Sequence, residues 1–140
     1  MSQAPVGVRL RTKTATLELT YADGRVFSLP AEFLRVYSPS AEVKGHGVGQ
    51  QVLQTGKSEV RLSGIESTGR YGVRLIFDDG HDTGIYSWEY LYELCVHQEA
   101  KWQDYLVRLR EAGASRHPLP ADTQVINIIN PAGSKPDSQD

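Results

Sequence analysis

Twice in this chain an Asp-Gly pair stands between two runs of alternating apolar and polar residues, and that arrangement leaves few folds open. Thr16, Glu18 and Thr20 share one parity and Leu17, Leu19 and Tyr21 the other; Asp23-Gly24 and then Val26-Phe27-Ser28-Leu29 follow. Phe77-Asp78-Asp79-Gly80 leads in the same way into Thr83-Gly84-Ile85-Tyr86. A period of two is the mark of a half-buried strand. Asp-Gly supplies the positive φ that a tight hairpin needs. Each second strand then meets a helix start. Pro30 precedes Ala31-Glu32-Phe33-Leu34-Arg35, and Ser87, a good N-cap, precedes Trp88. The unit is strand, turn, strand, helix, used twice. Two such units predict an α+β domain with a small, mainly antiparallel sheet and a longer C-terminal helix.

The rest of the chain fits around these units. Residues 60–67 and 70–78 alternate and are read as strands. Trp88, Leu91, Cys95, Trp102, Leu106 and Leu109 step by three, four, seven, four and three. That is a helical stripe reaching Arg110, with a break near His97-Gln98 and a stop at Gly113. Residues 1–9 read as a flexible leader, 10–112 as the domain and 113–140 as a loosely ordered tail. Within the tail, Val125-Ile126-Asn127-Ile128-Ile129 reads as an edge strand or a docking peptide. Residues 37–59, with Gly45, Gly47, Gly49 and Gly56, read as a functional or mobile loop.

Composition excludes several classes. The 140 residues, 39% of them hydrophobic, can build one core. A net charge of -2 with interspersed signs speaks against a nucleic-acid face. Cys95 is the one cysteine, so neither a disulfide nor a cysteine-rich zinc site can form within the chain. No apolar run approaches the ~18 residues of a membrane span, and Met1–Pro5 has no signal-peptide pattern. The expectation is a cytoplasmic protein with no membrane and no nucleic-acid partner.

The densest polar cluster is Asp78-Asp79-Gly80-His81-Asp82. It reads either as hairpin-tip chemistry or as a metal or acid–base site. Cys95 and His97 are two apart on a helix and cannot grip one ion. His46 and His117 are isolated. Gly45, Gly47 and Gly49 lack the flanking strand and helix of a phosphate loop. Ser38, Ser40 and Ser87 lack a nucleophile-elbow context. Most of the rings from Tyr86 to Tyr92 read as core; the alternative, since they exceed what one helix face buries, is that a subset lies exposed at a partner surface.

Three segments together resemble a known family: Leu34 to Val43, Gly69 to Phe77, and Asp79-Gly80-His81-Asp82-Thr83-Gly84-Ile85-Tyr86-Ser87-Trp88-Glu89-Tyr90-Leu91. Over residues 10–112 the chain is similar to the DUF971 family, the gamma-butyrobetaine hydroxylase-like N-terminal domain, in its stand-alone bacterial form. Related domains precede the catalytic domain of gamma-butyrobetaine and trimethyllysine dioxygenases. Others are attached to P-loop ATPases of iron–sulfur cluster assembly. In the dioxygenases the domain carries a structural zinc on three cysteines and one histidine. The resemblance puts Ser38, Ser40 and Val43 at the cysteine positions and His81 at the histidine. Hydroxyls are poor zinc ligands and valine is none, so no bound metal is expected. These 140 residues leave no room for the iron-binding catalytic domain, so no dioxygenase chemistry is expected of them.

The resemblance and the missing catalytic constellation together imply a non-catalytic adaptor domain, not an enzyme, with no cofactor. Its partner is an unnamed protein of iron–sulfur assembly or of a dioxygenase system. The partner-surface candidates are Tyr37, Ser38, Ser40, Glu42, His46, His81 and Tyr86. The shared zinc of the related enzymes implies that the 37–49 loop and the 79–86 segment lie side by side. The alternative is a metal-binding protein, or an accessory module of a dioxygenase-type system, using His81, Asp79, Asp82 and His46.

Overall fold

A computed structural model of the chain describes residues 4–44 and 52–118. The α+β expectation holds, with the strands divided between two three-stranded antiparallel sheets. The first sheet is a meander of β1 (Gly7–Arg11), β2 (Thr16–Thr20) and β3 (Val26–Pro30). It leads into α1 (Ala31–Val36), followed by the single turn α2 (Ala41–Lys44). The second sheet repeats the order with β4 (Leu62–Ser67), β5 (Gly72–Phe77) and β6 (Ile85–Ser87). The helices α3 (Trp88–Val96) and α4 (Gln98–Ala112) complete it. The repeated unit is thus three strands and a helix, one strand longer than the sequence reading. Residues 7–9, read from the sequence as part of a leader, pair with β2 as the start of β1.

The two hairpin turns are copies in detail. Tyr21 N–H donates to Arg25 O at 2.9 Å, and Gly24 N–H to Tyr21 O at 2.9 Å. Phe77 N–H donates to His81 O at 3.0 Å, and Gly80 N–H to Phe77 O at 3.2 Å. Asp23 Oδ1 accepts from Arg25 N–H at 3.0 Å and Asp79 Oδ1 from His81 N–H at 3.1 Å. Gly24 and Gly80 have φ of 93° and 91°, where a Cβ would be strained. Arg25 and His81 therefore hold the same place in the repeat.

The core lies between the sheets and the helices. Leu17, Leu19, Leu29, Leu75, Phe77, Leu91 and Leu94 form its centre. All six residues of α1 are buried, including Glu32 and Arg35. Ser87 caps α3, its Oγ accepting from Tyr90 N–H at 3.1 Å. Gly113 ends α4 with φ of 66°. The helix break falls at His97, as the stripe predicts, but Leu94 and Tyr105 are buried members that the stripe leaves out. Among the described residues no helix is long and apolar enough to cross a membrane.

Candidate functional site

The loop after α1 folds back onto the second hairpin turn and forms a polar joint. Residues 38–40 leave α1 and turn into α2, with Ser40 Oγ accepting from Glu42 N–H at 3.2 Å. Ser38 Oγ and His81 Nε2 are 2.9 Å apart, and His81 Nδ1 and Glu42 Oε1 3.1 Å. A carboxylate can only accept, so Nδ1 carries the proton to Glu42 and Nε2 accepts from the Ser38 hydroxyl. Ser40 and Thr83 share a second hydroxyl bond of 2.7 Å. Gly84 makes room for this approach, since a Cβ there would sit 2.5 Å from Ser38 Oγ.

Serine, imidazole and carboxylate in this order have the connectivity of a nucleophile, its base and an orienting acid. Here that chain is sealed. Ser38 is 1% and His81 5% exposed, and only Glu42 reaches solvent. Ser38 Oγ also accepts from Ser40 N–H at 3.2 Å, so one of its lone pairs is engaged within the loop. The arrangement closes two segments 43 residues apart.

A cationic seam runs beside the joint. Asp79 Oδ2 accepts from Arg35 Nε at 2.9 Å and from Lys57 Nζ at 2.8 Å. Arg35 also donates to Gln54 Oε1 at 2.9 Å. Burial pushes the Asp79 carboxyl up, but Lys57, the His81 N–H and Arg35 together outweigh it and hold the group at about 2. The His81 imidazole lies below its ordinary 6.5, through burial first and the nearby Arg35 second, with Glu42 offsetting part. His81 is therefore neutral at pH 7, and its contact with Glu42 is a hydrogen bond to a carboxylate.

Both groups make the fold acid-sensitive, in different windows. Below about pH 6.5 the unfolded chain takes up a proton that the folded His81 site still refuses, so stability falls with pH. Asp79 contributes above its unfolded value of 3.8, and that contribution is lost as pH falls toward 2. Asp79→Asn is expected to flatten the urea-midpoint profile between about pH 4 and pH 2, while the upper window persists and deepens, because the Asp79 charge offsets part of the lowering at His81. The Asp79 part is at most about 1 kcal/mol, because a pair this near solvent is screened. An unchanged lower slope in the variant would contradict the pairing.

The sequence candidates divide as follows. Ser38, Ser40, Glu42 and His81 come together. Tyr37 is half-buried, its hydroxyl donating to Lys101 O at 2.7 Å. Tyr86, expected on the exposed rim, is wholly buried, and its hydroxyl donates to Leu34 O. Ser38, Ser40 and His81 are likewise interior and cannot themselves face a partner. His46 and the 125–129 segment lie outside the described residues.

The acids of the 78–82 turn do not converge. Asp78 Oδ1 accepts from Arg61 N–H, Asp79 takes Arg35 and Lys57, and Asp82 faces Arg74 at 3.5 Å. Among the described residues no three His, Cys, Asp or Glu side chains are grouped to hold a metal. A zinc at this place does not fit the donors present. Val43 is buried and apolar, Ser38 and Ser40 are tied to His81 and Thr83, and both imidazole nitrogens are engaged. Elemental analysis of the folded, dialysed protein is expected to find far less than one zinc per chain; a stoichiometric ion would overturn this.

Sequence reasoning missed Glu32, Arg35, Lys57 and Gln54. The charges at Glu32 and Arg35 are three apart on one helix and look like a solvated pair, yet each is buried against a distant partner. No local signal marks that.

Fold and site together define a small α+β domain built from two three-strand-and-helix units, joined by a hydroxyl–imidazole–carboxylate chain whose serine and histidine are buried. The chain belongs to the gamma-butyrobetaine hydroxylase-like, N-terminal family, whose model matches residues 8–92. No curated protein matches. Two proteins with NMR solution structures are similar at 46% and 48% identity. The first match covers 91% of this chain and 100% of the other, with a TM-score of 0.76. The second covers 91% and 95%, with a TM-score of 0.71. A crystal structure from Acidithiobacillus ferrooxidans, of a DUF971 protein with unknown function, is 38% identical; 64% of this chain and 90% of that one are covered, with a TM-score of 0.54.

Proposed function

We propose that this domain is a non-catalytic protein-interaction module whose docking surface is the rim of the joint between residues 37–44 and 79–86. The observation that carries this reading is the burial of Ser38 and His81. A nucleophile and its base need a place about 3 Å away for the reacting atom, open to substrate. Here Gly84 and the 38–40 turn fill that place. What the two segments offer outward is Ile85, 53% exposed and paired across the sheet with Arg74, which holds Asp82, together with the exposed carboxylate of Glu42. An apolar anchor with a charged border suits a transient protein interface.

The family resemblance points to a partner in iron–sulfur cluster assembly or in a dioxygenase system. The test is affinity capture from native cell extract with the wild-type chain and with Ile85→Asp, read by quantitative mass spectrometry. Ile85 is exposed, so the variant should fold. A protein of one of those two classes is expected with the wild type and at least about tenfold less with the variant, as for a lost anchor residue. Equal capture by both, or enrichment of neither class, would overturn the proposal.

A further inference from the structure

Residues 114–118 sit on the body of the protein as a ligand would. Beyond Gly113 the chain runs against residues 56–58, where Gly56 N–H donates to Ser115 O at 2.9 Å and Ser58 N–H to Arg116 O at 2.8 Å. Arg116 then reaches α1. Its Nε and Nη2 donate to the two carboxylate oxygens of Glu32 at 2.8 and 2.7 Å. The guanidinium also lies over the Trp102 ring, 5.2 Å from its centre. A planar fork on a carboxylate with an aromatic face alongside selects a guanidinium over an ammonium. Glu32 is 7% exposed, so a carboxylate held there needs such a partner.

The occupant does not fill its site. A cleft of about 300 Å³ remains beside Arg116, lined by Pro30, Phe33, Gln98, Glu99 and Trp102. Pro30, Phe33 and Trp102 give it apolar walls and Glu32 holds a guanidinium, which is complementary to an arginine followed or preceded by an apolar side chain.

We propose that this cleft is a docking site for an arginine-bearing segment of a partner protein, and that residues 114–118 are its displaceable internal occupant. A tethered occupant acts at an effective concentration of roughly millimolar. A partner segment must therefore gain more contact than Arg116 makes, and the unfilled space over Pro30, Phe33 and Trp102 provides it. This surface is separate from the Ile85 rim, and the proposal stands whatever becomes of that one.

The test uses the full chain carrying Arg116→Ala and a capped synthetic peptide of residues 114–118, followed by NMR at the Trp102 indole N–H. Saturable binding to the variant is expected, with the wild type at least about tenfold weaker because its own arginine competes. A peptide with lysine in place of the arginine should also bind at least about tenfold more weakly, since it cannot form the fork. Should Arg116→Ala fail to fold, Arg116→Gln, which keeps the stem over Trp102, serves instead. No Trp102 shift in a folded variant up to millimolar peptide would overturn the proposal. So would equal binding by wild type and variant. Concentration-dependent dimers of the wild type that exchange this segment would assign the cleft to a second copy and likewise overturn it.

Discussion

Leu91→Ala is expected to destabilise the protein by about 2–5 kcal/mol, the range for emptying a buried leucine site. Leu91 is wholly buried and belongs to the main core together with Leu75, Phe77 and Tyr86 of the second sheet. It is the first inward residue of α3, ahead of Leu94 and Cys95. Removing it leaves a void where the helix meets the sheet. The neighbours cannot close over it, because Ser87 fixes the start of α3 and Tyr86 is tied to Leu34 O. Urea unfolding at unchanged m-value measures the loss. A change below about 0.5 kcal/mol, the size of a surface effect, would mean that α3 presents another face.

Gly72→Ala is expected to cost about 3 kcal/mol or more, at the upper end of overpacking effects. A Cβ at Gly72 would lie 1.8 Å from Tyr86 O and 2.8 Å from Ser87 Cα. Both are backbone atoms of β6, so no side-chain rotation relieves the clash and the strand must leave β5. Gly72 pairs with Ser87, and Ser87 is the cap of α3, so the damage passes directly into the helix. Gly84→Ala offers the comparison. There the nearest obstacle is Ser38 Oγ at 2.5 Å, the end of a side chain that can turn at the expense of its bond to His81. Its cost should be smaller than that of Gly72→Ala. Equal or reversed costs would contradict the proximity of β5 and β6.

The parts of this fold written in local pattern were legible. Leu17 and Leu19 point inward because strand periodicity puts them on one face, and Gly24 and Gly80 adopt positive φ because the turns demand it. Ser87 announces its helix by chemistry that acts within one turn. β1 was harder, since Gly7-Val8-Arg9-Leu10-Arg11 has few apolar residues and is held by pairing with β2. Proximity of Ser38 to His81 came from the family resemblance; no spacing rule joins residues 43 apart. The burial of Tyr86 was missed because ring counting cannot tell which rings a sheet will cover. Val73 opposite Tyr86 on the inward face decides that. Glu32 and Arg35 defied the rule that charges face solvent, since each partner lies in another part of the chain.

Both sheets follow chain order, β1-β2-β3 and β4-β5-β6, so every strand pairs with its neighbour in sequence. Contacts of this kind close quickly, and small loops need little entropy to form them. The links between the halves are of another kind: Ser38 to His81, Arg35 to Asp79, and Arg61 to the carbonyls of Thr12 and Lys13. From this topology we expect the slow step in folding to be the docking of the two meanders onto each other. Substitutions in that seam, Asp79 and His81 among them, should slow refolding, while changes at the far ends of the strands should chiefly speed unfolding.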